Sequence, residues 1–191
     1  EIGLRILRRV QAPVTLEEIE ARREFFEGQA VNAGDIIMAS SDPGRVYELI
    51  PNLDVFFQGV RFQTNAAGFR DSEFTTEKPP GTIRIAALGD STTFGWRVER
   101  EEIFTEAVER LLNAHSAEPR FEVMNFGVFG YNTAMERDVF FDEVLPRNPD
   151  IVWLQFDGND VDLPNFIKRP ENVWRVDRLY LWDFLTSRRF R

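Results

Sequence analysis

Hydrophobic and polar positions change rhythm several times along the chain. Residues 1–30 read as helical: Leu4, Ile6, Leu7 and Val10 are apolar beside Arg5, Arg8 and Arg9, and Pro13 ends that segment. Thr15 stands three residues before Glu18, a capping-box pattern opening a charged, solvated helix to about Glu27. Over residues 45–64 the period shortens to that of strands. Val46, Glu48 and Ile50 point unlike Tyr47 and Leu49, Pro51-Asn52 is a turn, and Val55–Phe57 and Val60–Phe62 are return strands around Gln58-Gly59. Thr64 to Asp71 is a loop in which Gly68 takes a positive φ. Asp71 to Thr82, with Lys78-Pro79-Pro80-Gly81, reads as a linker and a domain boundary.

From Ile83 onward the pattern is strand, loop and helix, repeated. Ile83–Leu88 is a short apolar run of the kind that forms a buried parallel strand. Gly89–Gly95 is a tight polar loop, and Ile103, Phe104, Ala107, Val108, Leu111 and Leu112 then recur at helical spacing. Phe121–Phe126 is a second strand and Gly127–Asn132 a second glycine-containing loop. Thr133 and Glu136 form a further capping box on a helix reaching Pro146. Ile151–Phe156 is a third strand, running into Asp157-Gly158-Asn159-Asp160. Such a series predicts βαβ units around a parallel sheet, with the ligand site at the carboxyl ends of the strands, where the three polar loops converge. The expected organisation is an arm and linker over 1–80, an α/β core over 81–163 and a tail over 164–191.

Composition narrows the chemistry. The 191 residues, 43% hydrophobic and 29% charged, suit one medium domain, or one domain with an arm, and exclude wholesale disorder. No apolar run approaches the ~18 residues of a membrane span. With no Cys there is no disulfide, thiolate metal site or Cys nucleophile, and one His excludes any site needing two imidazoles. A net charge of -9 opposes nucleic-acid binding. The 18 Phe residues imply large apolar faces, one of which can serve a partner. The start at Glu1 and the aromatic, basic end at Arg191 suggest a piece trimmed from a longer protein.

Each loop alone is weak evidence. A Ser directly after a buried strand, as Ser91 is in Gly89-Asp90-Ser91, can expose its hydroxyl and aim backbone N–H groups at an oxyanion, yet Gly-Asp-Ser is also a good turn. A glycine such as Gly130 lets a backbone N–H approach a substrate closely, yet serves equally as a turn residue. The Asn159 amide can donate to an oxyanion, while Asn and Asp also suit a turn or a helix cap. A P-loop is disfavoured for want of Gly-Lys-Ser/Thr, and a dinucleotide site for want of Gly-x-Gly-x-x-Gly. Asp157, Asn159, Asp160 and Asp162 fail the EF-hand template at Val161 and Asp162.

Taken together and in this order, the three blocks resemble the SGNH, or GDSL-type, hydrolases, from about Thr64 to Asp162. The resemblance implies a three-layer α/β sandwich with a parallel sheet, flavodoxin-like and here incomplete, behind a helix-and-hairpin arm. It implies Ser91 as nucleophile, with Gly130 and Asn159 in the oxyanion hole, and no cofactor or metal. Gly68-Phe69-Arg70-Asp71 and Lys78-Pro79-Pro80-Gly81 look like a bacterial subgroup that follows a membrane anchor or export signal, which implies an extracytoplasmic, membrane-associated setting, a cytoplasmic one being the alternative. The family's closing Asp-x-x-His block is absent, and the sole His115 falls beyond the first helix as a solvated helix-end residue. Three readings stay open: the remainder lies beyond this chain, another chain supplies it, or the protein is a degenerate relative without a base. The implied activity is ester hydrolysis or acyl transfer, with acetylated carbohydrate as the substrate by analogy. The rival is a non-catalytic subunit of a larger, membrane-bound assembly. For that rival the Phe-rich arm and the tail are the contacts. The tail carries Phe166, Trp174, Tyr180, Trp182, Phe184 and Phe190 and a local surplus of four positive charges.

Overall fold

A computed structural model describes residues 30–42, 44–115 and 118–161. The helical reading of 1–30 and the tail over 164–191 lie outside the described residues, apart from Ala30.

The centre is a parallel sheet of β6 (Thr82–Leu88), β7 (Arg120–Asn125) and β8 (Ile151–Leu154), in the order β7-β6-β8. Ala87 aligns with Asn125 and Leu88 with Leu154, so the carboxyl ends of the strands meet at one edge. β6 is central because it is apolar on both faces, Ile85 to Leu88 being buried throughout. One connection, carrying α1 (Ser91–Phe94) and α2 (Phe104–His115), leads from β6 to β7; the other, carrying α3 (Thr133–Val139), leads from β7 across to β8. Along β8, Trp153 meets Phe104 at the start of α2, whereas Val152 and Leu154 line a cavity beneath α3. Alternate side chains of a strand point to opposite faces, so α2 and α3 cover opposite faces of the sheet. The chain is thus α/β in three layers, and the two connections part company at the carboxyl end of β6. That is where such sheets open a ligand crevice.

Ahead of the sheet lie β1 (Ala30–Val31), β2 (Ile37–Ala39), β3 (Tyr47–Leu49), β4 (Asp54–Phe57) and β5 (Val60–Gln63). β4 and β5 form the expected hairpin: Gln58 and Gly59 both have positive φ, 54° and 91°, as a two-residue turn matching the strand twist requires. The expected partner of Tyr47–Leu49 is corrected. β3 pairs antiparallel with β2, and β4 takes β1 on its other side, neither of which the sequence pattern announced. Gly68 has the expected positive φ, 83°, and a Cβ there would lie 2.8 Å from the Leu49 carbonyl oxygen.

The 71–82 segment is extended but pinned rather than free. Lys78 Nζ reaches Asp150 at 2.7 Å, and the wholly buried Arg84 donates to Thr75 Oγ1 at 2.9 Å and to Glu122 Oε2 at 2.8 Å. Tyr47 and Leu49 of β3, Phe57 of β4 and Phe62 of β5 share one continuous core with Leu88, Phe94, Phe126, Phe129, Met135 and Val139.

This shared core reaches the second polar loop directly. The Tyr47 hydroxyl donates to the Phe129 carbonyl at 2.7 Å, and the Tyr131 hydroxyl donates back to the Tyr47 carbonyl. Tyr47→Phe keeps the ring packing and deletes one buried donor, so it is expected to cost about 1 kcal/mol, read as a shift in urea midpoint without a change in slope.

Candidate functional site

Ser91 is positioned by the turn that leaves β6. Gly89 is so crowded that a Cβ would stand 2.2 Å from Thr93 Oγ1. Asp90, almost fully buried, caps α1 by accepting the Thr92 N–H at 3.1 Å. The expected polar loop over Gly89–Gly95 therefore contains one helical turn, closed by Gly95 at φ 79°. Ser91 opens that turn, half-buried, with Oγ 3.4 Å from Asp90 Oδ2. The far end of α1 is held by Arg70, 1% exposed, whose guanidinium donates to the carbonyls of Gly95 and Val98 at 2.5 Å each and sits over the Phe62 and Phe94 rings. Burial lowers its pKa to about 10.

The second loop is stitched to α1 by two residues that sequence reasoning passed over. The buried Asn125 side chain donates to the Thr93 carbonyl at 2.8 Å and accepts the Gly127 N–H at 2.9 Å. Gly127 approaches α1 so closely that a Cβ would lie 2.3 Å from the Phe94 nitrogen. Asp71, whose pKa burial raises to about 7, accepts the Asn125 N–H at 2.7 Å and so fixes the end of β7. Gly130, at φ 75°, sits at the crest of the loop behind Phe129, whose ring packs on Phe57, Phe94 and Trp96. Neither the Ser91 nor the Gly130 backbone N–H has a hydrogen-bond partner among the described residues.

The expected capping box of Thr133 and Glu136 is corrected here. Asn132 is the cap of α3, accepting the Met135 N–H at 3.1 Å, which frees Glu136 to turn inward. An Asn side chain one residue earlier supplies the better-placed acceptor.

The third turn joins the same edge. The Gln155 N–H donates to the Leu88 carbonyl at 2.9 Å, and Thr93 Oγ1 meets Gln155 Oε1 at 3.3 Å. Asn159 lies on the following turn, Gly158–Val161; its side chain lies outside the described residues. The backbone thus brings Ser91, Gly130 and the turn of Asn159 to the carboxyl ends of adjacent strands. His115 is not brought there: it is exposed in the last turn of α2, its ring 2.7 Å from the Leu111 carbonyl of its own helix. Among the described residues no cluster of His, Cys, Asp or Glu is arranged to hold a metal.

Residues 87–181 match the model of the GDSL-like Lipase/Acylhydrolase family. The chain carries part of a GDSL-like hydrolase domain. No curated protein matches the chain. The match opens inside β6, just ahead of the Ser91 turn, and takes in all three loops. Within this GDSL-like domain, the residues that brace the site carry weak sequence signals. Asn125-Phe126-Gly127 places an Asn and a Gly around a strand end, which could have flagged a close approach. Nothing in the run from Asn132 to Arg137 marks Glu136 as buried.

Proposed function

We propose that this hydrolase-like chain bears the nucleophile and oxyanion-binding half of a serine ester hydrolase or O-acyltransferase, with Ser91 as nucleophile. The observation that carries the reading is the half-buried Ser91 on the turn leaving the central strand, with the Ser91 and Gly130 N–H groups unpaired among the described residues. Attack of Ser91 Oγ on an ester carbonyl places negative charge on the carbonyl oxygen. The Ser91 and Gly130 N–H groups and the Asn159 amide receive that charge, and the alcohol leaves with a proton. The short acetyl esters of carbohydrates are the proposed substrates, and an extracytoplasmic setting is part of the proposal. Among the described residues no helix is long and apolar enough to cross a membrane.

The general base is proposed to come from outside the described residues. Without it, loss of a triad member typically lowers turnover by ~10⁴–10⁶. Added imidazole offers a soluble base, and the test is p-nitrophenyl acetate hydrolysis by wild type and Ser91→Ala over an imidazole series. The expected result is near-background rates without imidazole and a wild-type excess that grows with it. Equal rates for the two proteins throughout would reject Ser91 as nucleophile.

A second reading, as an interaction module, is favoured by one observation. Ile151 to Leu154 of β8 are all 42–49% exposed, although their strand belongs to a parallel sheet. Parallel strands are ordinarily covered on both faces, so this row suits contact with a further protein layer.

A further inference from the structure

Two buried acids, Glu136 and Asp160, take no part in the proposed attack and oxyanion binding. Glu136, in the first turns of α3, is 2% exposed, and neither carboxyl oxygen meets a hydrogen-bond donor among the described residues. Asp160, on the Gly158–Val161 turn, is 5% exposed; its Oδ2 accepts the Asp157 N–H, while its Oδ1 likewise has no donor. α3 packs against the Gly158–Val161 turn, and the Asp160 carboxyl lies near enough to that of Glu136 to push the Glu136 pKa up. Two ionised carboxylates cannot hold that arrangement, since each offers only acceptors and like charges in a buried site repel strongly. One proton between them turns a repulsion into a charge-assisted hydrogen bond.

We propose that Glu136 is a positioning residue, kept protonated so that its carboxyl donates to Asp160 and clamps the Asn159 turn against α3. The proposal rests on the reading of Asn159 as an oxyanion donor, because the clamped turn is the one that carries it.

The surroundings favour the neutral acid. Asp90 adds a third buried carboxylate from the β6–α1 turn. The cavity beside Glu136, about 190 Å³, is otherwise lined by Leu88, Thr133, Phe140, Val152 and Leu154, with Arg137 as its sole cation among the described residues. Arg137 is committed elsewhere, its guanidinium 2.6 Å from Asp138 Oδ1. Burial first, and then Asp160 and Asp90, raise the Glu136 pKa to about 8. The folded value is raised above the unfolded one. The stabilisation is therefore complete below the ordinary Glu range and is lost as pH rises through about 8.

Hydrogen exchange tests this without relying on turnover. After correction for intrinsic rates, protection across residues 157–161 in the wild-type chain is expected to fall about tenfold between pH 7 and pH 9, a pH unit past the midpoint. Glu136→Gln keeps a donor that cannot ionise, so its protection should stay flat. Asp160→Asn supplies an amide donor from the other side and should remove the same step, which covers a failure of the first variant to fold. A third readout needs no variant: the carboxyl spectrum of wild-type protein labelled with ¹³C-glutamate should contain one resonance titrating near pH 8. Asp71 titrates in the same direction, but the label leaves it silent. Flat protection in the wild type, an equal fall in both variants, or no such glutamate resonance overturns the clamp. If these hold while the imidazole series shows no Ser91-dependent turnover, the clamp stands and the hydrolase reading fails.

Discussion

Gly127→Ala should be the most damaging single-methyl change in the described part of the chain, lowering stability by about 3 kcal/mol. The added Cβ would stand 2.3 Å from the Phe94 nitrogen, 2.6 Å from the Thr93 carbonyl carbon and 2.8 Å from Thr93 Cβ. Two of these atoms are backbone, so no side-chain rotation relieves the clash. Either α1 shifts, taking Ser91 with it, or the second loop lifts and breaks the Asn125 bridge to Thr93 and Gly127. For a chain of this size the expected fall in Tm is about 6–12 °C. Gly34→Ala is the control, because nothing lies within 4 Å of a Cβ there and its change in Tm should be small. A Gly127→Ala protein as stable as the control would mean that α1 and the second loop are not packed as described. Wherever the variant folds, it should also lose any imidazole-rescued, Ser91-dependent turnover, since the clash bears on both sides of the proposed oxyanion site.

This contact explains why part of the architecture was legible and part was not. β6 reads as a buried strand because its core-facing positions are apolar on both sides, and α2 because its apolar residues return every three or four positions. Period and polarity are local properties, and β6 and α2, which they determine, are found where expected. β1 and β2 are short, have no clear alternation, and exist because β4 and β3 offer them free edges. That is a property of the partner, not of the segment. The capping box at Thr133 and Glu136 failed for a related reason. Asn132 is an equally good cap one position earlier, and only tertiary packing shows that Glu136 faces inward.

The candidate site divides along the same line. Ser91, Gly130 and Asn159 could be named because each occupies a recognisable block at a strand end, and the fold carries the backbone of all three to one edge of the sheet. What holds them could not be named. Asn125, Arg70 and Glu136 are polar residues whose surroundings come from distant segments, with 32 residues separating Asn125 from the Thr93 carbonyl it holds. A polar side chain in a sequence looks solvated until the fold closes over it.

Arg70 is the second large effect, and it follows from that closure. The side chain is 1% exposed, yet among the described residues no carboxylate is hydrogen-bonded to it. Its donors instead serve carbonyls at the end of α1 and beyond, those of Gly95 and Val98 at 2.5 Å. The Gly95 carbonyl closes α1 and also accepts the Val98 N–H, the Val98 carbonyl belongs to the loop beyond, and the guanidinium that joins them lies over the Phe62 and Phe94 rings. Loss of a buried donor costs about 1–3 kcal/mol, and removing the side chain also strips the cation that packs over the Phe62 and Phe94 rings. Arg70→Ala is therefore expected to lose about 4 kcal/mol or to fail to fold. Arg70→Lys separates charge from geometry. It keeps a cation in the same place but replaces a planar fork with a single ammonium, which cannot span two carbonyls in the same way. The expected order of denaturation midpoints is wild type, then Arg70→Lys, then Arg70→Ala, with the lysine variant still well below wild type. A lysine variant as stable as wild type would show that charge alone suffices over the aromatic rings, and that the two carbonyls find other donors. In the expected case the lysine variant should also weaken any rescued turnover more than its stability loss explains, because the fork fixes the end of the helical turn that Ser91 begins.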